Sequence, residues 1–197
     1  MQKIREHVNV FLEQQNNCFE KLSDQTEIIT KITNLLIKTR DKGKNIYVMG
    51  NGGSGSTASH FVSDLLKTAI TKGNKRFSAI SLVDNTPVLL AWSNDSSYEE
   101  IFVEQLRNFL SKGDVVIAFS GSGKSKNVIK AFKFAKKKGA YCIGFTGMNG
   151  GYFPKLSDIC CVVNNDDMLI IESAHLALCH CIITVIRKLG NPIFKYE

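Results

Sequence analysis

From residue 45 onward one pattern repeats, and it leaves few folds open. Short apolar runs, IYVMG at 46–50, FSAISL at 77–82, VVIAF at 115–119, AYCIGF at 140–145 and ICCVV at 159–163, are separated by longer amphipathic stretches. Several of these runs lack polar alternation, as strands covered on both faces of a parallel sheet require. The stretches between them predict helices at about 55–70, 86–110 with a break near Asn94-Asp95, 124–138 and 168–189. This alternation predicts an α/β, doubly wound layer sandwich with helices on both faces.

A chain of 197 residues supports one core of ordinary size. The expected organisation is a single domain over 1–197, with a helical arm over 1–43, an α/β core over 44–190 and a tail over 191–197. In the arm Val8, Phe11 and Leu12, then Ile28, Ile29, Ile32, Leu35 and Leu36, keep helical spacing. Such an arm is expected to build a homo-oligomer. Gly190-Asn191-Pro192 stops the last helix.

Of the six cysteines, Cys142, Cys160, Cys161, Cys179 and Cys181 sit in apolar stretches and no CxxC pair occurs, so they read as buried thiols rather than a zinc knuckle. No unbroken apolar run reaches the ~18–20 residues of a membrane span. The start, MQKIREHVNVFLEQQNN, lacks an apolar signal core, so a cytoplasmic protein without a membrane partner is expected. The net charge of +7 admits a nucleic acid or a small anion as partner. Lys130, Lys133, Lys136, Lys137 and Lys138 gather toward the C-terminal end of one helix, where cations meet its dipole. A solvated helix face is the more economical account and no recognised nucleic-acid-binding fold accompanies them, so nucleic acid is not the expected partner.

Two loops point to the small anion. The first strand runs into VMGNGGSGSTASHF, where Asn51, Gly52, Gly53 and Ser54 precede a helix N-terminus. The third runs into AFSGSGKSKNV, where Ser120, Gly121, Ser122 and Ser125 do the same. Neither is a dinucleotide fingerprint or a Walker loop. Two hydroxyl-rich loops at the carboxyl ends of parallel strands converge on one crevice and suit a phosphate monoester. Among the four histidines, His60 lies four residues before Asp64, about 40° around a helix axis. Glu172 and His180 lie within about 80° on the last helix, with His175 turned about 140° from His180. The two histidine–carboxylate pairs favour a metal or proton-transfer site.

GNGGS at 50–54 followed by His60, Asn94-Asp95, the serine loop at 120–125, TGxxGG at 146–151, and Glu172, His175 and His180 on one helix together resemble the SIS (sugar isomerase) domain family. Within it the likeness is to the isomerases of sedoheptulose 7-phosphate. The resemblance implies a flavodoxin-like five-stranded parallel sheet and a homotetramer with active sites between subunits. It implies a substrate phosphate held by Ser54, Ser120, Ser122 and Ser125, with Asn51, Gly52, Gly53 and Gly121 in the same loops and Asp95 on the sugar hydroxyls. It also implies zinc. His60 and His180 fall on the family's histidine ligand positions, Asp64 stands where a glutamate acts as ligand and base, and Glu172 stands where a glutamine is usual. Leu169 replaces an aspartate, and Lys67 and Thr68 occupy the neighbourhood of a missing arginine. The expected metal set is therefore His60, Asp64, Glu172 and His180, whose two carboxylates balance a divalent cation. The implied reaction is an aldose–ketose isomerisation through an enediol, with Asp64 or Glu172 as base and His180 as its acid partner. An isomerase of a different phosphosugar and a non-catalytic phosphosugar-binding or adaptor protein are the alternatives.

Overall fold

A computed structural model describes residues 1–195; the last two residues of the expected tail lie outside the described part. Five strands, β1 (Asn45–Gly50), β2 (Ser78–Ser81), β3 (Val115–Ser120), β4 (Tyr141–Gly147) and β5 (Ile159–Val163), form one sheet in the order β2-β1-β3-β4-β5. Every pairing is parallel, with Val48 opposite Ile117, Ile117 opposite Ile143 and Ile143 opposite Ile159.

The missing polar alternation in the apolar runs has a direct cause. Ile46, Val48, Val115, Ile117 and Phe119 face one core layer while Tyr47, Met49, Val116 and Ala118 face the other. The first layer packs against α2 (Thr26–Asp41), α3 (Gly53–Ser63) and α8 (Met168–Leu189), and the second against α5 (Val103–Phe109), α6 (Lys126–Lys137) and α7 (Phe153–Leu156). Each fully buried Val, Ile or Phe contributes about 1.5–3 kcal/mol. That outweighs the weak strand propensity of Ala79, Ala118 and Gly144 within the strands.

The two N-terminal helices differ. α2 buries Ile29, Ile32 and Leu36 in the core of this chain. α1 (Gln2–Glu20) buries only Cys18 and leaves Ile4, Val8, Val10 and Leu12 exposed. The amphipathic stretch at 86–110 is divided where expected, into α4 (Thr86–Asp95) and α5. The stretch at 55–70 is not one α-helix. α3 ends at Ser63, and Asp64–Thr68 form a π-helical turn in which Ala69 N–H donates to the Asp64 carbonyl at 2.8 Å.

α8 begins with Asp167, whose carboxylate accepts from the N–H groups of Leu169 and Ile170. By length and composition this helix is apolar enough to cross a membrane, although Glu172, His175 and His180 interrupt its apolar run. Ile170, Ile171, Ala174, Leu178 and Ile182 are buried against the sheet, the usual place of a core helix. The cysteines are free thiols; Cys181 is exposed rather than buried, while burial pushes the thiols of Cys142 and Cys161 up to about 12.

Candidate active site

The strand order reverses between β1 and β3, so the chain leaves these neighbours for opposite faces and a crevice opens past their carboxyl ends. Both hydroxyl-rich loops stand there. In the β3 loop Ser125 occupies the N-cap of α6 without capping it; its hydroxyl lies 3.2 Å from that of Ser120. The Ser122 hydroxyl accepts from Lys124 N–H at 3.2 Å. A helix N-terminus left without its side-chain cap suits an anion. The loop is held from behind by the TGxxGG segment, since Gly147 N–H donates to the Gly121 carbonyl and Tyr152 N–H to that of Gly123. Gly123 has φ +60, and a Cβ there would stand 2.2 Å from the Gly150 carbonyl oxygen, so the fit between these loops requires glycine.

The β1 loop is built differently. Gly52 and Gly53 are exposed, whereas Ser54 is 4% exposed and faces inward. The Glu172 carboxylate lies on Gly53, where an added Cβ would meet its Oε2 at 2.1 Å. A carboxylate thus sits at the N-terminus of α3, the end of a helix that favours negative charge. Asn51 has its amide engaged. Its Nδ2 donates to Asn127 Oδ1 at 3.0 Å, and its Oδ1 accepts from Asn127 Nδ2 at 2.8 Å and from the Tyr98 hydroxyl at 2.9 Å. Asp95 ends α4 with its carboxylate accepting from Asn94 at 2.7 Å. Beside this loop an open cleft of about 440 Å³ is lined by Asn51, Ser56, Leu89, Ser93, Tyr98 and Phe102 among others, with no charged side chain.

Where α3 passes α8, three of the expected ligands converge. His60 Nε2 lies 2.9 Å from His180 Nε2, and Asp64 Oδ2 lies 3.4 Å from the first and 3.9 Å from the second. Two ligand atoms about 2.0–2.1 Å from a tetrahedral zinc stand roughly 3.3 Å apart, and this triangle has that size. Two imidazoles and a carboxylate are also the donor chemistry of zinc, and three protein ligands leave a coordination position open. The residues present therefore fit a divalent metal. Glu172 does not join them. The two residues are close in angle about the axis of α8, but eight residues also separate Glu172 from His180 by about 12 Å along it.

His175 is buried against the stacked rings of Phe119 and Phe145, with Nε2 3.2 Å from the Thr146 carbonyl. Burial pushes its pKa down to about 4, against a smaller upward effect of that hydrogen bond. Nε2 donates to Thr146, and Nδ1 has no partner among the described residues. Asn127 and Tyr98 were missed by the sequence reading. Asn127 carried a weak signal as a polar residue in the first turn of α6, while Tyr98 carried none.

The SIS domain profile matches residues 10–147. The chain belongs to the SIS domain family. A phosphoheptose isomerase of Helicobacter pylori strain P12 is 36% identical over 178 residues, covering 90% of this SIS domain protein and 92% of the relative. A probable phosphoheptose isomerase of Thermoplasma acidophilum is 37% identical over 166 residues, covering 84% and 91%. Among solved structures, a phosphoheptose isomerase from Neisseria gonorrhoeae superposes with a TM-score of 0.88 at 25% identity, over 94% of this chain and 99% of that one.

Proposed function

We propose that this SIS domain protein is a phosphosugar aldose–ketose isomerase, an intramolecular oxidoreductase, that converts sedoheptulose 7-phosphate to a glycero-manno-heptose 7-phosphate. The observation that carries this reading is the His60–Asp64–His180 group, which α3, the π-helical turn that follows it and α8 bring together. The phosphoheptose isomerase relatives support it over nearly the full chain. A cytoplasmic homotetramer is part of the proposal, supported by the family likeness and the exposed apolar side chains of α1.

Isomerisation moves a proton between adjacent carbons and leaves an oxyanion to be stabilised on the way. In this scheme Ser120, Ser122, Ser125 and the N-terminus of α6 hold the phosphate and fix the sugar in the crevice. Asp64, beside both imidazoles, takes the proton from the carbon next to the carbonyl and returns it to the former carbonyl carbon, while His180 with its ring nitrogen unliganded gives a proton to the carbonyl oxygen and takes one from the neighbouring hydroxyl. His60, Asp64 and His180 would hold a zinc ion through the atoms that face one another, and when bound it supplies Lewis acidity toward that oxygen in place of proton transfer by His180 Nε2. Glu172, lying on Gly53, is the second carboxylate at the crevice and the alternative base.

Asp64→Asn and Glu172→Gln, assayed separately with sedoheptulose 7-phosphate, test the assignment. General-base loss costs about 10²–10⁴-fold, so Asp64→Asn is expected to lower kcat by at least about 100-fold and Glu172→Gln by less than about tenfold. Wild-type turnover in both would remove the carboxylate-base account. Leu169, 64% exposed where the family has an aspartate, favours a second reading with a different sugar; a panel of C5 to C8 ketose phosphates decides between them.

A further inference from the structure

We infer that Asn127 and Tyr98 are positioning residues which, through the side chain of Asn51, hold the three substrate-binding segments of this protein in one register. The inference rests on the isomerase reading for its substrate, but not for its geometry.

The amide orientations follow from a donor that cannot be reversed. Val128 N–H donates to Asn127 Oδ1 at 3.0 Å, so that atom is an acceptor and must be oxygen. Asn127 Nδ2 is then a donor and finds Asn51 Oδ1 at 2.8 Å, while Asn51 Nδ2 donates back at 3.0 Å. The remaining acceptor capacity of Asn51 Oδ1 takes the Tyr98 hydroxyl at 2.9 Å. No partner is duplicated and no donor faces a donor. Asn127 is 2% exposed, so its bonds form out of competition with water.

The three residues come from three different segments. Asn51 follows β1 and precedes the glycines of the first loop. Asn127 lies in the first turn of α6, directly behind the serine loop. Tyr98 stands three residues past Asp95, in the connection from α4 to α5. Gly52 and Gly53, Ser120 to Ser125, and Asp95 are thereby tied to one amide. Glycine-rich backbone has little stiffness of its own, so the separation of these segments needs a fixed link.

Tyr98→Phe removes one hydroxyl from a half-exposed ring and does not endanger folding; Asn127→Ala removes the amide pair. Both are tested by kinetics with sedoheptulose 7-phosphate, by calorimetric binding of inorganic phosphate, and by thermal melting. One neutral hydrogen bond is worth about 0.5–1.5 kcal/mol, so Tyr98→Phe is expected to raise KM and the phosphate Kd about three- to tenfold with kcat changed less than threefold. Asn127→Ala is expected to raise both by more than tenfold. Because Tyr98 and Asn127 act on the same atom, the double variant falls short of the product of the single effects. Unchanged KM and phosphate affinity with a lowered melting temperature would show a purely structural network and overturn the inference. So would a loss confined to kcat, or a wild-type protein that binds no phosphate. A wild type that binds phosphate but turns over no phosphosugar defeats the isomerase reading alone, and the phosphate arm then decides this one.

Discussion

Burial holds His175 neutral at ordinary pH, and this has a consequence for stability. Its folded pKa of about 4 lies below the ordinary value of 6.5, so between these values the unfolded chain binds a proton that the native protein does not. The contribution is fully present above about pH 6.5 and is lost as pH falls toward 4, at up to about 1.4 kcal/mol per pH unit. Urea unfolding at pH 7 and pH 5 is expected to show this loss, and His175→Gln, which keeps a donor toward the Thr146 carbonyl, is expected to reduce it. An equal loss in both proteins would assign the pH dependence to other groups. At this scale much of the site was legible. His60 and Asp64 are close in sequence and share a helix face, so their pairing could be read from spacing. The three-point group with His180 could not, because it depends on how α3 crosses α8. Glu172 shows the opposite case, lying on Gly53 outside the three-residue group, since angle without rise does not fix a distance.

Among the elements, the serine loop and its TGxxGG support behave as one unit. Gly123→Ala would impose a left-handed conformation on alanine, at about 1–2 kcal/mol, and drive its methyl group into the Gly150 carbonyl. The expected outcome is a lower melting temperature together with weakened phosphate binding, and a variant with wild-type phosphate affinity would show that the loop tolerates displacement. The helices were legible to within a few residues because their apolar periodicity is strong; α8 extends over Met168–Leu189 as the pattern required. The π-helical turn at Asp64–Thr68 was not legible, since its apolar spacing continues that of α3. Its hydrogen bonds shift by one residue just where Asp64 joins the two histidines, a common location for such turns.

For the whole molecule, α1 and the net charge pose the remaining questions. α2 is a layer of this chain's own core, but Ile4, Val8 and Leu12 on α1 have no cover within the described residues. If α1 forms the subunit interface, Ile4→Asp with Val8→Asp is expected to reduce the mass measured by light scattering while leaving the monomer folded, because neither residue is buried in it. An unchanged mass would place the interface elsewhere. Many of the lysines behind the +7 charge, among them Lys42, Lys44, Lys112 and Lys138, stand in the turns that lead into β1, β3 and β4, at the end of the sheet opposite the crevice. The sequence by itself determined the layered α/β fold and placed the two serine- and glycine-rich loops and the His60–Asp64 pair on it, because these rest on local periodicity and on residue types at fixed spacing. The tertiary structure alone decided which of these groups meet. The separation of Glu172 from the histidines, the link from Asn51 to Asn127 and Tyr98, and the collection of lysines at one end all depend on how distant segments pack, which no local pattern encodes.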